Sequence, residues 1–115
     1  MNEEDSWIGV DLDGTLAFYN EWAGIDHIGD PVPAMLLRVR QWLHEGKNVK
    51  IFTARAADPK AIPYIEKWLE NNGLGGLEIT NQKDLHMTEL WDDRCVQVVP
   101  NTGRRVDGLD RKIDE

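Results

Sequence analysis

The sequence predicts an α/β protein built on a parallel sheet of about five strands with flanking helices. Three observations carry this. Short apolar runs alternate along the chain with stripes of helical spacing, the pattern of strand–helix–strand units with right-handed crossovers. The 115 residues suit one domain with its own core. No internal repeat, low-complexity stretch or long apolar run points to another architecture.

Ser6-Trp7-Ile8-Gly9-Val10-Asp11 is a short apolar strand ending on an acid, with Gly14 as the turn behind it. Residues 15–30 lack clean periodicity and are long for a connection from strand to helix, usually about 2–6 residues, so they read as a flap. Asp30 ahead of Pro31 and Pro33 marks a helix start with proline in its first turn. Met35, Leu36, Val39, Trp42 and Leu43 form the buried stripe, and Gly46 stands where a C-terminal cap belongs.

Residues 48–53 form the second strand and end on Phe52-Thr53. Asp58-Pro59 opens the next helical region, although Pro63 would remove a backbone hydrogen bond, so the regular helix starts near Ile62. Ile62, Ile65, Trp68 and Leu69 are its apolar stripe, and Asn72-Gly73 stops it. Residues 77–80, 89–92 and 95–99 are the third, fourth and fifth strands, with Cys95 as a small core residue on the last. Residues 1–103 make the folded domain. Residues 104–115, where charges surround few apolar side chains, make a charged tail that is mobile or weakly docked.

The net charge of −8 is unevenly placed. Residues 1–30 hold eight acids and no Lys or Arg, whereas from residue 31 onward acids and bases balance. Without a basic tract the chain is a poor candidate for strong non-specific nucleic-acid binding. The lone Cys95 leaves no internal disulfide. No apolar run reaches the roughly 18 residues of a membrane span, and the acidic opening Met-Asn-Glu-Glu-Asp is unlike a secretory leader. A cytoplasmic protein without membrane association is expected.

In a parallel sheet the strand C-termini share one edge, where ligands bind. That edge collects Asp11 and Asp13, Thr53, and Asp92 and Asp93, with Lys83 in the loop before the fourth strand. Crowded carboxylates repel unless a cation sits among them, and hard oxygen ligands select Mg²⁺. A carboxylate beside such an ion can attack phosphorus. A second carboxyl two residues on can protonate the leaving oxygen, and a hydroxyl and an ammonium can hold the phosphoryl oxygens.

These residues resemble the haloacid dehalogenase-like (HAD) phosphohydrolases. Asp11-Leu12-Asp13-Gly14-Thr15 after the strand Ile8-Gly9-Val10 resembles the first motif of that family, Thr53 the second, Lys83 the third and Asp92-Asp93 the acidic fourth. The resemblance spans residues 7 to about 99. It implies a three-layer, Rossmann-like fold with Asp11 as nucleophile, forming an aspartyl-phosphate, and Asp13 as general acid and base. It further implies Mg²⁺ held by Asp11, the backbone carbonyl of Asp13 and Asp92, with Asp93 as ligand or close neighbour. Thr53 and Lys83 would bind the phosphoryl group, helped by backbone N–H groups near Leu12, Asp13 and Ala54. Asp84 follows Lys83 where many relatives have Pro.

Dehalogenase members lack an acid at the position of Asp13, so the resemblance favours a phosphorylated substrate: a nucleotide, a nucleic-acid terminal phosphate or a small phosphometabolite. Neither 15–30 nor 54–58 is long enough for a separate cap domain, so the expected site is open, with room for a homo-oligomer that covers it. Trp22 in the flap and Arg55 behind Thr53 are candidate substrate contacts, and His27 is a weaker candidate metal ligand. A non-catalytic phosphate-binding or receiver-like module is the rival reading. Receivers place their acidic pair and phosphorylated Asp on different strands, whereas Asp11 and Asp13 share one strand end. A calcium loop is disfavoured, because Asp11-x-Asp13-Gly14 lacks the further acids and terminal Glu of that motif.

Overall fold

Backbone pairing joins four of the apolar runs into a single sheet. In the computed structural model, which describes residues 3–110, β1 (Trp7–Val10), β2 (Val49–Phe52), β3 (Glu78–Thr80) and β4 (Met87–Trp91) are all parallel, in the order β3-β2-β1-β4. The strand order reverses between β1 and β4, which opens a crevice at the C-terminal edge between them. This α/β arrangement is consistent with a Rossmann-like fold.

Among the described residues two α-helices flank the sheet, α1 (Pro33–His44) and α2 (Ile62–Asn71). The first starts at Pro33 rather than near Asp30, because a residue before proline is steered to extended backbone. Val32 takes that conformation as the N-cap, while the Asp30 carbonyl accepts the Phe18 N–H at 2.8 Å. Gly46, at φ 82°, terminates α1 in the left-handed region, as its position in the sequence predicts. The regular part of α2 begins at Ile62 with Pro63 in its first turn, also as predicted.

Residues paired across parallel strands point the same way, so Ile8, Val10, Val49 and Ile51 share one face of the sheet. Met35 and Val39 of α1, and Ile65 and Leu69 of α2, pack with them and with Leu12 and Leu16 into one buried core. The other face carries no helix among the described residues, so the predicted third layer is not formed. Trp7 lies over Gly9 there, where a Cβ would sit 3.2 Å from the indole. The chain crosses this face from β3 back to β4 in residues 81–86. Six residues extend about 20 Å, enough to span three strand spacings of roughly 4.8 Å and return toward the start of β4, but not to wind a helix as well. Asp84 pins this strap by accepting the Trp7 indole N–H at 2.9 Å and the His86 N–H at 2.8 Å. Those two donors hold its carboxyl below the usual range.

The predicted fifth strand is also absent from the sheet. Only Asp92, Asp93 and Arg94 separate β4 from residue 95. Three residues cannot carry the chain back along the roughly 16 Å of a five-residue strand to begin a parallel neighbour. Residues 95–99 instead meet 104–106 in an antiparallel hook, bridged at Val98 and Arg105, with the Val106 N–H on the Gln97 carbonyl at 2.8 Å. Cys95 is consequently exposed rather than a core residue. The start of the predicted tail is docked in this hook, and residues 111–115 lie outside the described residues.

The flap is closed at its base. The Val32 N–H donates to the Leu16 carbonyl at 2.8 Å, and the Trp68 indole of α2 donates to the Gly29 carbonyl at 2.8 Å. Gly29 passes so near Phe18 that a Cβ would lie 2.1 Å from the Phe18 carbonyl oxygen. Gly29→Ala should therefore destabilise the protein by about 1–3 kcal/mol, measured by urea unfolding; an unchanged midpoint would contradict this packing.

Candidate functional site

The site begins where β1 and β4 end side by side. The Asp11 N–H donates to the Trp91 carbonyl at 2.8 Å, extending the pairing one residue past Val10 and bringing Asp11 beside Asp92. Trp91 is held edge-on by Trp42 of α1, with ring centroids 5.2 Å apart, and Arg38 stacks on it at 4.7 Å. The chain therefore leaves β4 at a fixed point. Asp93 folds over Gly14, whose Cβ would lie 2.5 Å from its carboxylate and whose φ of +88° suits glycine.

Oxygens of Asp11, Asp92 and Asp93 all lie within 4.8 Å of one another. Burial, the Asp92 charge and a hydrogen bond with Asp93 push the Asp11 carboxyl up to about 7 from the ordinary 3.8. A group held that high beside two further carboxylates lacks a compensating positive charge. Their spacing and hard oxygen chemistry fit a divalent cation such as Mg²⁺.

Asp13, two residues on, faces another way. Its carboxylate accepts two hydrogen bonds from Arg55, from Nε at 2.7 Å and from the terminal nitrogen at 2.8 Å. The Arg55 side chain is only 5% exposed, and it also donates to the carbonyls of Ile25 and His27 in the flap. The Trp22 ring lies over its guanidinium at 4.8 Å. Thus Arg55 leaves the end of β2, binds the turn after β1 and anchors the flap.

Thr53 is buried at the end of β2, and its hydroxyl accepts the Arg55 N–H at 3.2 Å. A cavity of about 790 Å³ opens above these groups. It brings together Asp11, Asp13, Thr53, Ala54, Trp22, Arg55 and Asp92 from the sequence-derived set. Asp93 belongs to the carboxylate cluster without lining the cavity, and the Leu12 side chain is in the core. Lys83 is exposed on the strap and outside the cavity lining, but its charge reaches Cys95, as do those of Asp92, Asp11 and Asp93. Desolvation is the main cause pushing that thiol up, followed by these carboxylates. His27 is exposed and outside the carboxylate cluster.

The cavity also contains Arg94, a candidate for a basic rim, and Tyr19 and Asn81, which sequence reasoning did not assign to the site. Tyr19 lies in the flap three residues before Trp22, so proximity to an assigned residue was the available signal.

No protein-family model matches the chain, and no curated protein matches it. Among solved structures, a conserved protein from Bacteroides thetaiotaomicron is similar, with a TM-score of 0.63 and 20% identity over 83% of this chain and 81% of that one. At this identity the likeness shows the fold. No helix among the described residues is long and apolar enough to cross a membrane.

Asp11 gives the site a pH signature. Between 3.8 and about 7 the cation-free folded protein keeps a proton that the unfolded chain releases, so this group's contribution to stability falls as pH rises through that window. Protons and a cation compete for the same carboxylates. Millimolar Mg²⁺ should therefore raise Tm more at pH 8 than at pH 5 in thermal-shift measurements. Asp11→Asn should raise the cation-free Tm at pH 8 and shrink the Mg²⁺ response; equal responses at both pH values would contradict cation binding here.

Proposed function

We propose that the protein is a Mg²⁺-dependent phosphomonoesterase of the HAD type, working through an aspartyl-phosphate on Asp11. One observation carries the reading: two acids on one strand end are sorted to opposite neighbours, Asp11 into the cluster with Asp92 and Asp93, and Asp13 onto a buried arginine. Bound by Asp11, Asp92 and Asp93, with the Asp13 carbonyl as a further ligand, Mg²⁺ would reduce the repulsion between a carboxylate nucleophile and a phosphate dianion.

In the first half-reaction an Asp11 carboxylate oxygen bonds to phosphorus as the ester P–O bond breaks. Asp13, ion-paired with Arg55 at rest, would first have to take up a proton, which it then gives to the departing alkoxide. In the second, water attacks phosphorus, Asp13 takes the water proton, and the Asp11 carboxylate and inorganic phosphate are released. The Thr53 hydroxyl already accepts from the Arg55 N–H, so its own proton is directed elsewhere and suits a phosphoryl oxygen. Backbone N–H groups of Leu12, Asp13 and Ala54 are further donors, and Lys83 supplies positive charge from the strap side.

The direct test is phosphate release from p-nitrophenyl phosphate and a panel of phosphometabolites, with and without Mg²⁺. Turnover should require the cation, and Asp11→Asn should lower kcat by about 10³-fold or more. Equal activity in the variant would remove Asp11 as nucleophile; phosphate binding without any turnover would favour the non-catalytic module.

Arg55 holds Asp13 in place, so its role should depend on the leaving group. An alkyl phosphate needs a proton on its departing oxygen, whereas p-nitrophenolate departs readily without one. Arg55→Ala should lower kcat about 100-fold on an alkyl phosphate and much less on p-nitrophenyl phosphate. Equal losses on both substrates would show that Arg55 serves only the fold.

A further inference from the structure

We infer that the flap carries a subsite for a planar heteroaromatic ring, and that the substrate is a free nucleoside monophosphate. This rests on the phosphomonoesterase reading and names its substrate class.

Trp22 is 54% exposed although it sits on a flap tied down at its base and to α2. One face of its indole is occupied by the Arg55 guanidinium at 4.8 Å, and that guanidinium is locked by Asp13 and two flap carbonyls. The ring is thereby held at the cavity instead of collapsing onto the core, and Tyr19 joins it in the lining. An aromatic surface fixed in this way accepts any base by stacking.

The rim supplies hydrogen-bonding groups without partners of their own. The side-chain amide of Asn81 and the guanidinium of Arg94 make no hydrogen bond or ion pair among the described residues, and both line the cavity. At about 790 Å³ the space far exceeds what a phosphoryl group fills and lies in the range of small-molecule sites.

Geometry selects a nucleotide over an aryl phosphate. The Arg55 guanidinium contacts both the Asp13 carboxylate and one face of the Trp22 ring. A ring stacked on Trp22 is thus set apart from the reacting phosphorus, as the sugar of a nucleotide sets its base apart, whereas the ring of phosphotyrosine is bonded directly to the phosphate oxygen. The net charge of −8 disfavours a polynucleotide.

The experiment compares kcat/KM with Mg²⁺ for adenosine and uridine 5′-monophosphates, ribose 5-phosphate and a phosphotyrosyl peptide. The nucleotides should exceed ribose 5-phosphate by roughly tenfold or more. Trp22→Ala should bring that ratio near one and Trp22→Phe should largely restore it. Because nucleotide and ribose phosphate share the same 5′-oxygen leaving group, the ratio is insensitive to any disturbance of Asp13 through Arg55.

A wild-type ratio near one, preference for the peptide, or a ratio unmoved by Trp22→Ala would overturn the inference. Fluorescence titration of Asp11→Asn with adenosine 5′-monophosphate and ribose 5-phosphate separates the two readings. Tighter, Trp22-dependent nucleotide binding beside an inactive wild type would overturn the phosphatase reading and keep the ring subsite.

Discussion

The guanidinium of Arg55 meets the carboxylate of Asp13 through two short hydrogen bonds in a nearly dry setting, and much of the site's geometry passes through that pair. Arg55 follows the end of β2, and Asp13 lies in the turn after β1, so the pair joins neighbouring strand ends. Its remaining donors reach the flap, and its flat face supports Trp22. Removing Asp13 leaves the buried Arg55 charge without its ion-pair partner, a costly state. The interaction thus keeps Asp13 apart from the carboxylates at the end of β4 while attaching a long connection to the sheet.

Topology does the complementary work. The crossover to β4 places Asp92 and Asp93 next to Asp11 at the point where strand order reverses, and Trp42 and Arg38 fix Trp91 just before them. The crossover itself is reduced to a six-residue strap held by Asp84 on Trp7, with no helix. Asp84, at the point where the sequence departs from the motif it resembles, is the residue that fastens this strap, so it has a structural role.

Much of this was legible in the sequence because it depends on local chemistry. The run through Val10 into Asp11, the stripe of α1 and the stop at Gly46 are each decided within a few residues. The misreadings concern connections. Residues 95–99 have the composition of a strand, but the three-residue link before them forbids a parallel position, and Cys95 loses its predicted burial as a result. Asp30 looks like a helix cap, but the residue before Pro33 holds that position. The Asp13–Arg55 pair joins residues 42 apart, so no local pattern marks it. An arginine placed beside a crevice of acids was its only trace in the sequence.

Chemical trapping on Asp11 tests the central claim most directly. Protein mixed with a hydrolysed phosphomonoester and Mg²⁺, quenched in acid during turnover and reduced with borohydride, should carry homoserine at position 11, the reduction product of an aspartyl-phosphate. That signal should vanish without substrate. Phosphate release during the same interval with an unmodified Asp11, or with homoserine at another acid, would contradict the account.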